Sequence, residues 1–230
     1  MRRLLITLVV LVGLLVVADR VALAAAQSQL ASEVQREEGL SERPSIDLLG
    51  FPFLTQAVSG DYEGGRLEVR NLRTDKLLVN KLVLDLRDVN VPLSNLISGN
   101  VSAVPVGKVT GVASVTYPEL AKATGVQGLR ISPKGDKLQL NFAVERFGTS
   151  TPVVATARIG VADNAVRITS VEIQGSPVPE QLTAAALSQV QSRLAFGVLP
   201  YGLKVSDVRI AETGVEVSAQ AQNTVLRAPS

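Results

Sequence analysis

The chain has 230 residues, with 23 Lys and Arg against 21 Asp and Glu, a net charge of +2. That length supports a sizeable core. So even a charge balance, with no basic block interleaved with aromatics, argues against a nucleic-acid partner. Histidine and cysteine are both absent, which removes the usual proton-transfer side chain, thiol nucleophiles, disulfides and thiolate metal sites together. Aromatic residues make up 3% and apolar residues 46%, so the core is aliphatic.

Arg2 and Arg3 precede an unbroken apolar run from Leu4 to Ala18, which Asp19 and Arg20 close. A positive start followed by an apolar stretch reads as a secretory signal or a signal anchor. Arg2 and Arg3 are then cytoplasmic, and everything after Arg20 lies outside. The run is shorter than the roughly 20 residues of a full span, although apolar character resumes at residues 21–26. Ala22-Leu23-Ala24 and Ala24-Ala25-Ala26 offer small residues for cleavage there; the reading favours retention. From Val21 to Glu38 the composition predicts a helix. Ala, Gln, Glu and Leu dominate, and Leu23, Leu30 and Val34 sit near helical spacing. Gly39 and Pro44 stop it, so the helix is expected to run from the membrane straight into the domain. Residues 1–26 are assigned to the signal segment, 27–222 to a single domain and 223–230 to a tail.

The next distinctive stretch is Gly50-Phe51-Pro52-Phe53-Leu54-Thr55-Gln56, with two of the five Phe residues within three positions. Pro52 fixes its own backbone and biases Phe51 towards extended geometry, and Gly50 permits a sharp turn before them. Two readings fit: an apolar corner packed into the core, or rings that line or gate an apolar mouth. A short helix is predicted near Phe53–Val58 and another near Pro118–Ala123.

From Ser45 onward strict alternation takes over. Leu82, Leu84 and Leu86 oppose Asp85 and Arg87. Leu138, Leu140, Phe142 and Val144 oppose Lys137, Gln139, Asn141 and Glu145. Val215, Val217, Ala219 and Ala221 oppose Glu216, Ser218, Gln220 and Gln222. Period 2 with one polar face marks antiparallel sheet wetted on one side. Pro133-Lys134-Gly135-Asp136 and Asp163-Asn164 supply hairpin turns. Val166 and Ile168 share one phase while Val171 and Ile173 share the other, which predicts a β-bulge near Ser170. A second phase change separates Val205 from Val208 and Ile210. One further helix, Glu180–Phe196, opens after Pro177 and Pro179 and carries Leu182, Ala186, Val190 and Leu194 on one face. The fold class is α+β: a curved antiparallel sheet of eight or so strands around one or two long helices, plus the N-terminal hydrophobic helix. Those one-faced strands must hide their apolar side from water. They do so by closing on each other, by wrapping a helix, or by leaving a slot for an apolar ligand.

No nucleophile elbow occurs, and the triads that need His or Cys are impossible. The carboxylate pairs Asp85/Asp88 and Glu37/Glu38 diverge on a strand and a helix respectively. Gly64-Gly65 reads as a turn rather than a phosphate loop, and no calcium-loop spacing appears. The reading is therefore of a non-enzyme with no catalytic residue, metal or cofactor.

The apolar segment, the Asp19-Arg20 pair, the Ala-rich helix, Gly50–Gln56 followed by Gly60 and Tyr62, and the Tyr117-Pro118-Glu119-Leu120 step together resemble the LmeA family of phospholipid-binding proteins of actinobacterial envelopes. The resemblance covers most of the chain, and its specific residues lie before about Gly125. It implies a tubular lipid-binding fold with an apolar groove, an anionic phospholipid as partner, and a supporting role in building envelope glycolipids. It supplies no catalytic residues. Phe51, Pro52, Phe53 and Leu54 are the matching positions for lipid, and Arg66, Arg70, Arg73 and Lys76 are the candidate cations for a phosphate head group. Partners are then a phospholipid or other amphipathic lipid, the cytoplasmic membrane through the N-terminal segment, and envelope biosynthetic enzymes. The rival reading is a membrane-tethered interaction domain without a lipid slot, docking those enzymes by a strand edge or face.

Overall fold

The computed structural model describes residues 2–74, 77–92, 103–146, 149–174 and 202–227. It is α+β, with a long N-terminal helix and two antiparallel sheets that do not close into a barrel. Helix α1 (Arg2–Glu37) leads to β1 (Ser45–Leu49), α2 (Phe53–Ser59), β2 (Asp61–Arg73), β3 (Leu78–Asn90) and β4 (Ala103–Thr116). Then come α3 (Tyr117–Thr124), β5 (Arg130–Lys134), β6 (Lys137–Arg146), β7 (Thr149–Ala162), β8 (Ala165–Gln174), β9 (Lys204–Ile210) and β10 (Gly214–Arg227). Ten strands are thus present among the described residues. The last runs past residue 222 to Arg227. The helix expected at Glu180–Phe196 lies outside the described residues.

Six strands form one sheet in the order β1-β2-β3-β4-β10-β9, and four form the other in the order β5-β6-β7-β8. By contacts the chain falls into two compact units, residues 1–69, 83–110 and 221–230 in the first, and 70–82 and 111–220 in the second.

The second unit holds the main aliphatic core. Ile131, Leu138, Leu140, Ala155 and Ala157 supply one face of the four-stranded sheet, and Tyr117, Leu120 and Ala121 of α3 pack with them. Alternation on β6 is borne out by Leu138 and Leu140, both buried, with Phe142 packed against the same cluster. The expected bulge is present. Arg158 pairs with Ser170 but Ile159 pairs with Ile168, leaving Thr169 as the extra residue. The phase slip brings Ile168, Val171 and Ile173 onto the same core. The second slip is also present, between Asp207 opposite Ser218 and Val205 opposite Ala219. Asp163 and Asn164 both take the left-handed conformation in the β7–β8 hairpin, the geometry a two-residue turn needs to match strand twist. Helix α3 opens with a Pro in its first turn and ends on Gly125 in the left-handed conformation. Tyr117 donates its hydroxyl to the Ala211 carbonyl, and burial raises its phenol above the ordinary value.

In the first unit, α1 changes character at Asp19. Every described residue before it is exposed. After it, Ala22, Leu23, Ala26, Gln27, Ala31, Val34 and Gln35 form a covered stripe at helical spacing. Leu30, expected on that face, lies off it and is exposed. Arg43 reaches back from the following turn to the Ser28 carbonyl and the Ser28 and Ser32 hydroxyls at 2.6, 2.8 and 3.0 Å, fastening the chain to this half of the helix. Gly39, in the left-handed conformation, ends α1 as expected.

Two expectations are corrected. Gly64-Gly65 is no turn. Both residues lie inside β2, opposite Leu49 and Leu48 of β1. Gly64 has φ 150°, and a Cβ there would stand 2.1 Å from the Leu86 carbonyl oxygen, so the position serves a close backbone approach. Residues 82–86 of β3 are all half-buried rather than alternating, because both faces of this strand are partly covered.

Gly64→Ala is expected to destabilise the chain by more than about 4 kcal/mol or to prevent folding, since steric overlap adds to backbone strain. Gly128 has φ +72° and open space around it, so Gly128→Ala should cost only about 1–2 kcal/mol. Urea unfolding of the detergent-solubilised full chain compares the two.

Candidate functional site

The corner between β1 and α2 is built around Asp19. Its side chain is 3% exposed by residue, and a carboxylate out of water needs partners. One oxygen accepts the Leu54 backbone N–H at 2.8 Å, and the other accepts the Arg20 guanidinium at 2.5 Å. The Leu54 amide belongs to the first turn of α2, where N–H groups have no partner within the helix. No side chain of α2 itself caps it there. Asp19 of α1 thus does for α2 what a local capping residue ordinarily does.

Phe51 and Phe53 take opposite positions. The peptide between Phe51 and Pro52 is cis. Phe53 is buried, its ring 6.4 Å from that of Tyr62 and tilted by 40°. Burial raises the Tyr62 phenol above its ordinary value. Phe51 is exposed, with the Arg20 guanidinium 4.8 Å above its ring centre, within cation–π range. Gly50 turns the chain ahead of them with φ 93°, and any Cβ there would overlap Gln56 and Glu63. Gln56, buried, ties the corner together. It accepts the Glu63 N–H at 2.9 Å and donates to the Pro52 carbonyl at 3.4 Å.

Both sequence readings of the Phe-Pro-Phe motif therefore have a residue. Phe53 packs, whereas Phe51 faces outward together with Pro52 and Leu54. The cationic candidates lie elsewhere on β2. Arg66 is exposed and makes a two-pronged ion pair with Asp85 at 2.7 and 3.2 Å; Asp85 raises the guanidinium above its ordinary value. Arg70 and Arg73 follow on the same strand, both exposed, in the second unit. Lys76 lies outside the described residues. In the sequence, Asp19 and Arg20 mark the end of an apolar run and form part of the family resemblance, with no role at the corner. The signal that could have found the corner was energetic: a carboxylate that close to an aliphatic helix must be answered by a donor. Among the described residues, no group of three or more carboxylates is placed to hold a metal ion.

A model of the family described as LmeA-like phospholipid-binding matches residues 17–220. No curated protein and no solved structure matches the chain.

Asp19→Ala should leave the Leu54 amide without its acceptor and raise its hydrogen-exchange rate roughly tenfold or more. Asp19→Asn, which keeps an acceptor oxygen, should raise it less. Exchange read by mass spectrometry on the peptide containing Leu54 measures both, and equal rates in the two variants would remove the capping role.

Proposed function

The chain belongs to the LmeA-like phospholipid-binding family, and from that premise we propose that it is an anchored lipid carrier on the outer face of the bacterial plasma membrane. It holds or passes phospholipid in an apolar groove, in support of envelope lipid or glycolipid assembly. The observation that carries the anchored reading is the use the fold makes of α1. Taken whole, by length and composition, the helix is long and apolar enough to cross a membrane; its uninterrupted exposed part is residues 2–18, and it continues without a break into the half fastened by Arg43.

Cleavage at either alanine-rich site would sever Asp19 and Arg20 from the corner they hold, at Leu54 and Phe51. The family match starts at residue 17 and so includes both. These two facts favour retention. The positive residues Arg2 and Arg3 favour an inside N-terminus, which leaves the domain outside.

For the lipid, Phe51, Pro52 and Leu54 offer apolar contact, with Phe53 beneath them as support. Arg66, Arg70 and Arg73 are the candidates for the phosphate, Arg66 by exchanging Asp85 for it. The proposal is of binding without chemistry, because a chain lacking His and Cys has few routes to a nucleophile.

The full chain extracted in mild detergent is expected to carry phospholipid identifiable by mass spectrometry, and to move labelled phospholipid between vesicles. Substituting Arg66, Arg70 and Arg73 together by Ala should lower the share of anionic lipid recovered. A chain recovered empty that also transfers nothing would overturn the carrier reading in favour of a tethered docking domain.

A further inference from the structure

Phe51 and Leu54, offered above to a lipid, continue with Val58 into an exposed apolar surface on the outer side of the corner. Phe51 is 59% exposed, Leu54 39% and Val58 74%. Leu54 and Val58 stand four apart on α2 and share one side of it, and Phe51, just ahead of the helix, is exposed beside them in sequence. The inner side is occupied by Phe53 and Gln56, both buried. Apart from the Leu54 backbone amide and the face of the Phe51 ring under Arg20, the outer three leave much of their apolar surface uncovered.

Their position relative to the apolar helix is fixed. Leu54 is hydrogen-bonded to Asp19, and Phe51 lies under Arg20. Asp19 is the residue at which α1 passes from fully exposed to covered by the domain. The exposed apolar run from Leu4 to Ala18 is about 22 Å long at 1.5 Å per residue. A hydrocarbon core of about 30 Å leaves it short by roughly 8 Å. The second apolar stretch, residues 21–26, does not make up the difference, because Ala22, Leu23 and Ala26 are turned towards the domain. A span that is too short is matched by local thinning of the bilayer, which brings the interface to the groups that flank the span. The flanking groups here are the corner.

We propose that Phe51, Leu54 and Val58 form a foot that seats the domain in the outer leaflet, its occupant being the acyl chains of the bilayer and not a protein. This rests on the reading that α1 is retained as an anchor. Interfacial helices bind through buried apolar area plus any attraction to anionic lipid. Arg20, which stands over Phe51, is already paired with Asp19, so the seating is apolar and needs no anionic head group.

The chain contains no Trp, so single substitutions report alone. The full chain carrying Phe51→Trp, Leu54→Trp or Val58→Trp is reconstituted into dioleoylphosphatidylcholine vesicles. Lipids brominated just below the head group should quench most of the fluorescence at all three positions, equally at low and high salt. Leu11→Trp within the span should be quenched by bromines placed deeper, and Val161→Trp on β7 by neither. Water-like emission at the three foot positions with Leu11→Trp still quenched would overturn the foot and leave the anchor standing. Loss of quenching at Leu11→Trp as well would remove the anchored reading along with it. Blue-shifted emission at the foot without bromine quenching would also overturn it, since a protein surface would then be covering the three residues.

Discussion

A carboxylate removed from water midway along α1, at the end of its aliphatic run, is the constraint on which the first unit turns. Asp19 is costly where it stands unless donors surround it. The fold supplies two from the neighbouring Arg20 and one from the first turn of another helix. The neighbour satisfies charge. The Leu54 amide does more, because it makes the position of α2 depend on α1. Arg20, held by that carboxylate, then stands over the Phe51 ring, so charge balance and aromatic placement derive from one side chain.

The same residue divides α1 into two halves with different surroundings. Up to Ala18 the helix is exposed on all sides. From Ala22 it shows a single covered stripe and is clasped by Arg43. An unbroken helix is stiff over this length, so the exposed half and the domain cannot adjust independently about a linker. Whatever depth the apolar half adopts is passed to the corner. On the anchored reading proposed above, such a tether differs from a flexible stalk, which would leave the domain free to rotate and to leave the surface.

Much of the β architecture was legible as period. Two bulges could be placed from phase slips alone, near Ser170 and between Val205 and Val208, because one-residue slips turn every following side chain to the wrong face unless an extra residue intervenes. Turns at Gly135-Asp136 and Asp163-Asn164 were legible for a related reason: few residues accept the backbone they require. What periodicity could not give was partnership. The division of strands into sheets of six and four depends on which strand lies beside which, and alternation is identical for any neighbour. Gly64 was misread for the same cause. A glycine pair in isolation looks like a turn, and only the arrival of the Leu86 carbonyl reveals why a side chain is excluded there.

The Phe-Pro-Phe motif shows where such a reading stops and what the fold adds. Two rings two residues apart look equivalent in sequence, and both were assigned to lipid. Helix α2 begins at Phe53, and from that point helical geometry decides which side chains turn in. Phe53 and Gln56, three apart, take the inner side, which commits Leu54 and Val58 to the outer one. Phe51 precedes the helix and is not governed by its period; the cation above it decides its place instead. An exposed Phe under a guanidinium that is itself neutralised keeps its outer face free of charge. Such a ring is suited to contact with acyl chains, and less suited to closing a core that Phe53 and Tyr62 already fill.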